Sequence, residues 1–204
     1  MRRIVLATRN AHKVDELKAI LDDLVGELDL EIVGVGEFPN VQDVVETGVT
    51  FAENAILKAV AVAEATGLPA LADDSGLAVD VLGGSPGVFS ARWAGAHGQD
   101  RANLDLLLAQ LSDVPDAHRS AAFVCAAALA MPDGGLVVRE GRMPGTLARE
   151  PRGDGGFGYD PILVVEGDSR TAAELSIQDK NAISHRGRAF RALATDLREL
   201  FADR

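Results

Sequence analysis

Apolar positions along the chain recur in two spacings, which predict strands alternating with helices. Residues 4–8 form a short, mostly apolar stretch that predicts a buried strand. A helix is predicted directly after it, because Val14, Leu17, Ile20, Leu21 and Leu24 recur at close to 3.6-residue spacing. The chain therefore opens with a strand, a short loop and a helix.

Local signals mark where further elements begin and end. Thr50 followed by Glu53 forms a capping box, which predicts the start of a second helix that ends at Gly67. Ser184 is predicted to cap a final amphipathic helix. The remaining predictions are strands over 31–35, 70–73 and 121–131, a hairpin return over 136–138, a helix over 100–111, and loops over 34–48, 76–87 and 153–161.

This order of elements predicts an α/β fold with a mixed sheet, because strands and helices alternate before a hairpin intervenes. No repeat or composition break marks a second domain, so one domain over residues 1–204 is expected. With 47% hydrophobic and 25% charged residues, the chain has the composition of a globular protein with a real core.

Compartment is predicted from three features. The N-terminus lacks a signal-peptide pattern, and the longest apolar run, 121–131, is shorter than the ~18 residues of a membrane span. The single cysteine, Cys125, can form no internal disulfide and is expected to be a small buried hydrophobe. A cytoplasmic protein without membrane attachment is expected.

Charge excludes one class of partner. The formal net charge is -11, from 31 acidic and 20 basic residues, so the overall field repels polyanions such as DNA and RNA. A small phosphorylated substrate is compatible with this charge if Lys, Arg and backbone N–H groups cluster locally with a divalent cation. The positions of the basic residues therefore matter more than their number.

The first candidate site is the loop over residues 8–13, between the first strand and the first helix. Unsatisfied N–H groups and the helix dipole favour an anion at such a place. Lys13 would be disfavoured there by the dipole unless an anion such as phosphate binds. A solvated Lys13 is the alternative. The loop lacks the glycines of a Walker motif.

The second candidate is the run Asp73, Asp74, Ser75 and Gly76, where a strand is predicted to end in a turn. Successive strand side chains face opposite ways, so only one aspartate can enter a given cleft, and the other is expected to accept backbone hydrogen bonds. One or two carboxylates are what Mg²⁺ takes from a protein. The alternative is that both aspartates are turn formers.

Upstream residues can add charge to that candidate. Asn54 and Lys58 are four positions apart, which places them on one face of the capped helix, and Lys58 could reach a phosphate. Glu46 supplies a further acid. The alternative for Glu46 and Lys58 is an ordinary solvent-facing position.

The third candidate is the glycine-rich loop, residues 153–160, in which four glycines surround Phe157 and Tyr159. Glycines allow close approach of backbone to a ligand, and an exposed aromatic ring could stack on a nucleobase. The alternative is a flexible loop anchored by Phe157 in the core. Lys180, and His185 with Arg186 at the start of the final helix, offer further donors or form a solvated helix start.

Two familiar chemistries are excluded by context. Ser75 and Ser184 lack the surroundings of a nucleophile elbow, and the four histidines have no zinc-ligand spacing.

Taken in order, these segments resemble the inosine triphosphate pyrophosphatase family over essentially the whole chain. The segments that carry the resemblance are LATRNAHKVDEL at 6–17, ETGVTFAENAILKA at 46–59, LADDSGLAVDVLGGSPGVFSARWAG at 71–95, GDGGFGYDPI at 153–162 and AAELSIQDKNAISHRGRA at 172–189. Five ordered motifs of this length are highly specific.

The resemblance implies a fold and an activity. The expected fold is an elongated mixed β-sheet flanked by helices in two lobes, with the active site in the cleft between them and a homodimer as the working form. The expected activity is Mg²⁺-dependent hydrolysis of non-standard purine nucleoside triphosphates, ITP, dITP and XTP, to the monophosphate and pyrophosphate.

The resemblance also implies residue roles. Asp74 is expected to be the general base and, with Glu46, a metal ligand. The implied substrate-binding residues are Thr8, Arg9, Asn10, Ala11, His12 and Lys13 in the triphosphate loop, Lys58 and Ser75 beside the acids, and Phe157, Gly158, Tyr159, Asp160, Lys180, His185 and Arg186 around the base and sugar. Relatives often carry an acid where this chain has Val45 and a glycine where it has His12.

Two other functions stay open. A nucleotide-binding module could sense purine triphosphates without cleaving them, although Asp74 and the neighbouring acids favour an enzyme, because phosphate binding alone is better served without carboxylates. A related pyrophosphatase could act on modified pyrimidine nucleotides, and only the resemblance of the glycine-rich loop argues against it.

Overall fold

The computed structural model describes residues 2–202, except the side chains of Ala11, His12, Asp15, Asp23 and Ala202. The elements are β1 (Arg2–Leu6), α1 (Ala11–Leu28), β2 (Leu30–Gly34), α2 (Phe51–Thr66), β3 (Ala70–Val79), α3 (Asp100–Gln110), β4 (Ser120–Ala130), β5 (Leu136–Leu147), β6 (Leu163–Val165), α4 (Ile177–Ile183) and α5 (His185–Ala202). No helix within residues 2–202 has the length and apolar character needed to cross a membrane.

Six strands form one mixed sheet, in the order β2-β1-β3-β4-β5-β6. β1 pairs in parallel with β2 and with β3, whereas β5 and β6 pair antiparallel. Helix α1 connects the parallel strands β1 and β2, as a parallel pair requires. The predicted α/β fold with a mixed sheet is confirmed.

The chain divides into two compact units, and the first contains residues up to 74, 125–141 and those from 186 onward. Leu17 and Leu21 of α1 pack with Phe190 and Leu193 of α5 in one of its buried clusters. A second cluster consists largely of alanines, which lie on α2, β3 and β4.

The alanine-rich segment that was predicted as a strand over 121–131 forms β4. Its residues alternate between the two clusters of the first unit, with Cys125, Ala127 and Leu129 in one and Ala126, Ala128 and Ala130 in the other. A strand that is buried on both faces carries a continuous apolar sequence, so the alternation of polar and apolar residues disappears. The predicted strand is confirmed, as is the buried position of Cys125.

The second unit contains residues 75–124 and 142–185. Apolar residues of α3 form its core together with Phe123 and Tyr159. Arg119 is only 1% exposed, and its guanidinium donates to the carbonyls of Leu111, Leu147 and Ala148 at 2.7, 2.9 and 2.9 Å. This buried cation satisfies a carbonyl at the end of α3 and so fixes that helix end.

Strand β3 differs from its sequence prediction. It continues to Val79, whereas a loop was predicted from Gly76 onward, so Asp73 and Asp74 lie within the strand and not at its end. Gly76 is not a strand breaker here, because its missing side chain makes room for the oxygens of Ser90 and Gly87. β5 is likewise longer than the predicted 136–138 return.

The capping box of α2 is confirmed and generates a stability prediction. The Thr50 side chain accepts from the Glu53 amide at 3.1 Å, and the Glu53 carboxylate accepts from the Thr50 amide at 3.1 Å. Thr50→Ala should lower the free energy of unfolding by about 1 kcal/mol, because a first-turn amide loses its acceptor. Urea unfolding followed by circular dichroism measures this.

Glu53→Gln is the matched control for Thr50→Ala. A glutamine at the third helical position keeps an acceptor for the Thr50 amide, so its loss of stability should be clearly smaller. Equal losses in the two variants would mean that the Thr50 hydroxyl does not cap α2.

Candidate active site

The first unit gathers charged side chains around Asp74 on β3. Asp74 is 8% exposed, and its two carboxylate oxygens are held by different partners. The Asn54 side-chain amide donates to Oδ2 at 3.1 Å, and the Lys58 ammonium lies 3.4 Å from Oδ1. Lys58 also binds Glu46 at 2.8 Å, so one ammonium joins two carboxylates. Glu46 and Lys58 are therefore not ordinary solvent-facing residues.

Asn54 is fully buried, and its orientation is fixed by a second bond. Its side-chain carbonyl accepts from the Gly48 amide at 2.8 Å, which leaves the amide group to face Asp74. A Cβ atom at Gly48 would lie 2.6 Å from that carbonyl oxygen, so only glycine allows this approach. The loop before α2 thus positions the residue that holds Asp74.

Asp73 has different partners from Asp74, as expected for neighbours in a strand. Its Oδ2 atom lies 2.9 Å from the Lys13 ammonium and 3.2 Å from Nε of Arg186, and Arg186 also pairs with Glu16. The side chains of Asp73 and Arg186 are 1% and 3% exposed. Asp73 is therefore one member of a buried ion-pair network that joins α1, β3 and α5.

The two aspartates titrate in opposite directions. Burial alone would raise the pKa of Asp73, but the Lys13 ammonium and the Arg186 guanidinium outweigh burial and hold that pKa far below its usual range. Burial raises the pKa of Asp74, and Glu46 adds to the rise, while Lys58 and Asn54 oppose it. Asp73 is thus a fixed charge, whereas Asp74 binds a proton more readily.

Lys58 stays charged within this group. Burial alone would lower its pKa, but the carboxylates of Asp74, Asp73 and Glu46 outweigh burial and raise that pKa. A permanent positive charge beside Asp74 is the local basic feature that a phosphorylated ligand needs in a chain of net charge -11.

The loop before α1 is ordered by its own side chains. The Thr8 hydroxyl accepts from the Asn10 amide at 3.2 Å, and the Asn10 side chain caps α1 by accepting from the Lys13 amide at 3.3 Å. Lys13 lies in the first turn, as predicted, with its ammonium on Asp73. Arg9 instead pairs with Asp43 at 2.7 Å. The side chains predicted at Ala11 and His12 lie outside the described residues.

The glycine-rich loop belongs to the second unit, and Tyr159 anchors it. Tyr159 is 5% exposed and its hydroxyl donates to the Ser90 carbonyl at 2.9 Å, whereas Phe157 is 44% exposed. The alternative of a loop anchored by Phe157 is therefore wrong, because the core of this unit takes the neighbouring aromatic ring. The Phe157 ring is left partly exposed.

Asp160 and Lys180 hold the exposed ring in place. Asp160 is 3% exposed, and its Oδ2 accepts from the Phe157 amide at 2.8 Å and from the Lys180 ammonium at 2.7 Å. The same ammonium lies 5.6 Å from the centre of the Phe157 ring. Asp100, the first residue of α3, accepts from the Gly158 amide at 3.0 Å.

The remaining predicted residues occupy different surroundings. Ser75 follows Asp74 on β3 and is half-buried. His185 begins α5 as predicted and stacks on Phe123, with ring centres 5.1 Å apart. Arg186 contacts the carboxylates of Asp73 and Glu16 in the first unit.

Four residues that hydrogen-bond or ion-pair with the predicted site residues were not identified from the sequence. Asn54 was placed on the correct helix face but given no role, and Glu16, Ser90 and Asp100 were not singled out. Ser90 and Asp100 act on residues 69 and 58 positions away, so no local spacing could reveal them.

The donor set of the first unit suits a small, hard divalent cation. Within residues 2–202, no three His, Cys, Asp or Glu side chains come together closely enough to hold a metal by themselves. Asp74 and Glu46 nevertheless converge on one cationic group, the Lys58 ammonium. Mg²⁺ usually takes only one or two protein carboxylates and completes its shell with water and substrate phosphate. These two residues fit that requirement.

The fold and these groups define a mixed α/β protein with an acidic, cation-compatible site flanked by lysines. The chain belongs to the Ham1 family, whose model matches residues 4–196. A dITP/XTP pyrophosphatase of Streptomyces coelicolor is 65% identical over 200 residues, covering 98% of this chain and 99% of the relative. The dITP/XTP pyrophosphatase of Mycobacterium tuberculosis is 54% identical over 198 residues, covering 97% and 96%. The structure of a HAM1 protein from Coxiella burnetii matches with a TM-score of 0.88 at 47% identity, covering 98% and 100%.

The buried ion pairs of Asp73 generate a second prediction. Asp73→Asn should lower the free energy of unfolding by about 3 kcal/mol or more, because Lys13 and Arg186 lose a buried charge partner. Asp168→Asn is the control, since its partner Arg170 is solvent-exposed and such pairs contribute little. Circular dichroism during urea unfolding compares the variants, and similar losses in both would contradict a structural role for Asp73.

Proposed function

We propose that the protein hydrolyses the non-standard purine nucleoside triphosphates ITP, dITP and XTP to the nucleoside monophosphate and pyrophosphate, which removes them from the nucleotide pool. The names of relatives at 65% and 54% identity over nearly the full length support this substrate class. The structural observation that carries the proposal is the buried carboxylate of Asp74, held between Asn54 and Lys58 next to Glu46.

Phosphate binding is assigned to the first unit. Lys58 remains charged beside Asp74, and Lys13 lies in the first turn of α1, where the helix dipole also favours an anion. Thr8 and Asn10 order the backbone that precedes this turn. Ser75, directly after Asp74, is assigned a substrate contact.

Asp74 is assigned the role of general base. A raised pKa makes its carboxylate a better proton acceptor near neutral pH. A water molecule gives its proton to Asp74 and forms a bond to the alpha phosphorus, while the bond from that phosphorus to the bridging oxygen breaks and pyrophosphate leaves. Asn54 holds the carboxylate in one orientation, which limits the loss of alignment.

Asp74 and Glu46 are assigned to Mg²⁺. The bound ion would neutralise charge on the phosphate oxygens and on the leaving pyrophosphate. Lys58 already neutralises part of the negative charge at the same carboxylates, so it lowers their mutual repulsion. Relatives often carry a second acid where this chain has Val45, so Glu46 is the one acid assigned to the metal from this segment.

The base is assigned to the glycine-rich loop of the second unit. Phe157 can stack on any purine, so selectivity must come from donors that face the keto oxygen at position 6, where adenine has an amino group. Gly158, Asp160, Lys180 and His185 are the remaining loop and helix-start residues assigned there. We also assign Arg186 to substrate binding, and its bonds to Asp73 and Glu16 hold its guanidinium in place.

The same proposal treats residues 1–204 as one domain, with a homodimer as the working form. Light scattering after size-exclusion chromatography tests the oligomeric state. A monomer at micromolar concentration would remove the homodimer from the proposal.

The central experiment measures pyrophosphate release from dITP, ITP, XTP, dATP, dGTP and modified pyrimidine triphosphates. We expect release from the first three with Mg²⁺, none after chelation with EDTA, and recovery when Mg²⁺ is restored. Tight binding of dITP without release would support a sensing module, and preference for a pyrimidine would overturn the substrate class.

The role of Asp74 generates a third prediction. Asp74→Asn should lower kcat for dITP by about 10²-fold or more, because an amide cannot take the proton of the attacking water. Circular dichroism should show an intact fold. Asp168→Asn serves again as the control and should keep wild-type kcat. A fall of less than about tenfold for Asp74→Asn would remove Asp74 from the role of general base.

The exposed ring of Phe157 generates a fourth prediction. Phe157→Ala should raise KM for dITP and dATP by the same factor, because stacking holds the ring plane without reading its edge. Stacking of about 1–3 kcal/mol per base corresponds to roughly 5- to 150-fold. Leu136→Ala is the control, since Leu136 has the same 44% exposure but lies at the start of β5. A change confined to one nucleotide would show that Phe157 reads base identity.

A further inference from the structure

Ser90 connects two segments of the second unit that belong to the proposed site. It lies in the 3-10 helix Gly87–Arg92 and is 7% exposed. Its hydroxyl oxygen accepts from the Leu77 amide on β3 at 2.9 Å and donates to the Gly87 carbonyl at 2.7 Å. Its carbonyl accepts from the Tyr159 hydroxyl at 2.9 Å. One buried residue therefore bonds to β3 and to the glycine-rich loop.

The contact with β3 is also sterically close. A Cβ atom at Gly76 would lie 2.4 Å from the Ser90 hydroxyl oxygen and 2.6 Å from the Gly87 carbonyl. β3 can approach the 3-10 helix this closely only because Gly76 has no side chain. Gly76 directly follows Ser75, so the strand is fastened immediately beyond the proposed substrate contact.

The contact with the loop is made by a hydroxyl that keeps its proton. Burial raises the pKa of Tyr159, and Asp100 adds to the rise. A protonated hydroxyl is needed to donate to a carbonyl, and a buried carbonyl without a donor is unfavourable. Tyr159 therefore anchors the loop two residues after Phe157.

We propose that Ser90 is a positioning residue, whose hydroxyl holds β3 beside Ser75 and whose carbonyl holds the glycine-rich loop through Tyr159. This inference rests on the proposed function, because Ser75 and Phe157 contact substrate only in that proposal. Ser90 acts through these two segments and does not contact the nucleotide. Misplacement of a reacting group by ~1 Å can lower the rate by ~10²-fold, so fixing both segments on one residue has kinetic consequences.

The first test does not depend on nucleotide. Hydrogen–deuterium exchange compares the wild type, Ser90→Ala, Tyr159→Phe and Thr66→Val. Thr66 is a matched control, because its hydroxyl donates to the Val62 carbonyl at 2.7 Å and accepts from the Leu68 amide at 3.3 Å, the same pair of bonds in α2.

Ser90→Ala loses the hydroxyl but keeps the carbonyl, so it should exchange faster over residues 75–79. Tyr159→Phe, which loses the bond to that carbonyl, should exchange faster over residues 153–160, and Thr66→Val over neither segment. Unchanged exchange over residues 75–79 in Ser90→Ala, or over residues 153–160 in Tyr159→Phe, would overturn the proposal.

The second test measures the kinetics of pyrophosphate release from dITP. Ser90→Ala should raise KM and lower kcat, with kcat/KM reduced about tenfold or more, whereas Thr66→Val should keep wild-type values. Tyr159→Phe loses only the loop bond and should raise KM with kcat nearly unchanged. A loss in Ser90→Ala no larger than in Thr66→Val would show a merely structural residue.

The two tests separate the two proposals. If the wild type releases no pyrophosphate from any nucleotide, the proposed function fails, and the exchange experiment still decides whether Ser90 fastens both segments. If Ser90→Ala does not fold, Tyr159→Phe carries the test. It should then accelerate exchange over residues 153–160 but not over 75–79, and unchanged exchange over 153–160 would overturn the proposal.

Discussion

Burial of two adjacent carboxylates on β3 is the constraint on which the first unit depends. A buried charge without a partner is strongly unfavourable, so each aspartate must be matched by cations from other elements. Asp73 receives Lys13 from the first turn of α1 and Arg186 from the start of α5, and Asp74 receives Lys58 from α2. The starts of α1 and α5 are therefore fixed by the same requirement that holds the aspartates in place.

The balance of cations and carboxylates differs between the two sides of β3. Two cations contact Asp73, whereas a single ammonium, that of Lys58, contacts both Asp74 and Glu46. The side of Asp74 and Glu46 thus carries one more carboxylate than cation among these groups. Burial raises the pKa of Asp74, and the charge of Glu46 adds to that rise. A divalent cation would balance the excess negative charge of these two carboxylates, and Asp74 can still take or release a proton. Both properties support the proposed hydrolysis.

Local patterns predicted the elements but not the long-range contacts. The capping box and the helical periods located α2 and α3, because those signals are contained within a few residues. Gly76 was predicted to begin a loop after the strand. Nothing nearby in the sequence reveals that the Ser90 hydroxyl occupies the space that a side chain at position 76 would fill. The order of Phe157 and Tyr159 in the loop could not show which ring is buried, because the Ser90 carbonyl, 69 residues away from Tyr159, decides it.

The positions of the tyrosine and the tryptophan determine which part of the chain intrinsic fluorescence reports on. Tyr159 is the chain's one tyrosine and Trp93 its one tryptophan, and both belong to that unit. Trp93 is bonded through its indole N–H to Gln110 at 2.9 Å, so its emission senses the end of α3. Tyrosine and tryptophan fluorescence therefore reports on the second unit, whereas far-ultraviolet circular dichroism reports on the helices of both units. Coincident transitions by the two signals would mean that both units unfold together, and separated transitions would resolve them without any label.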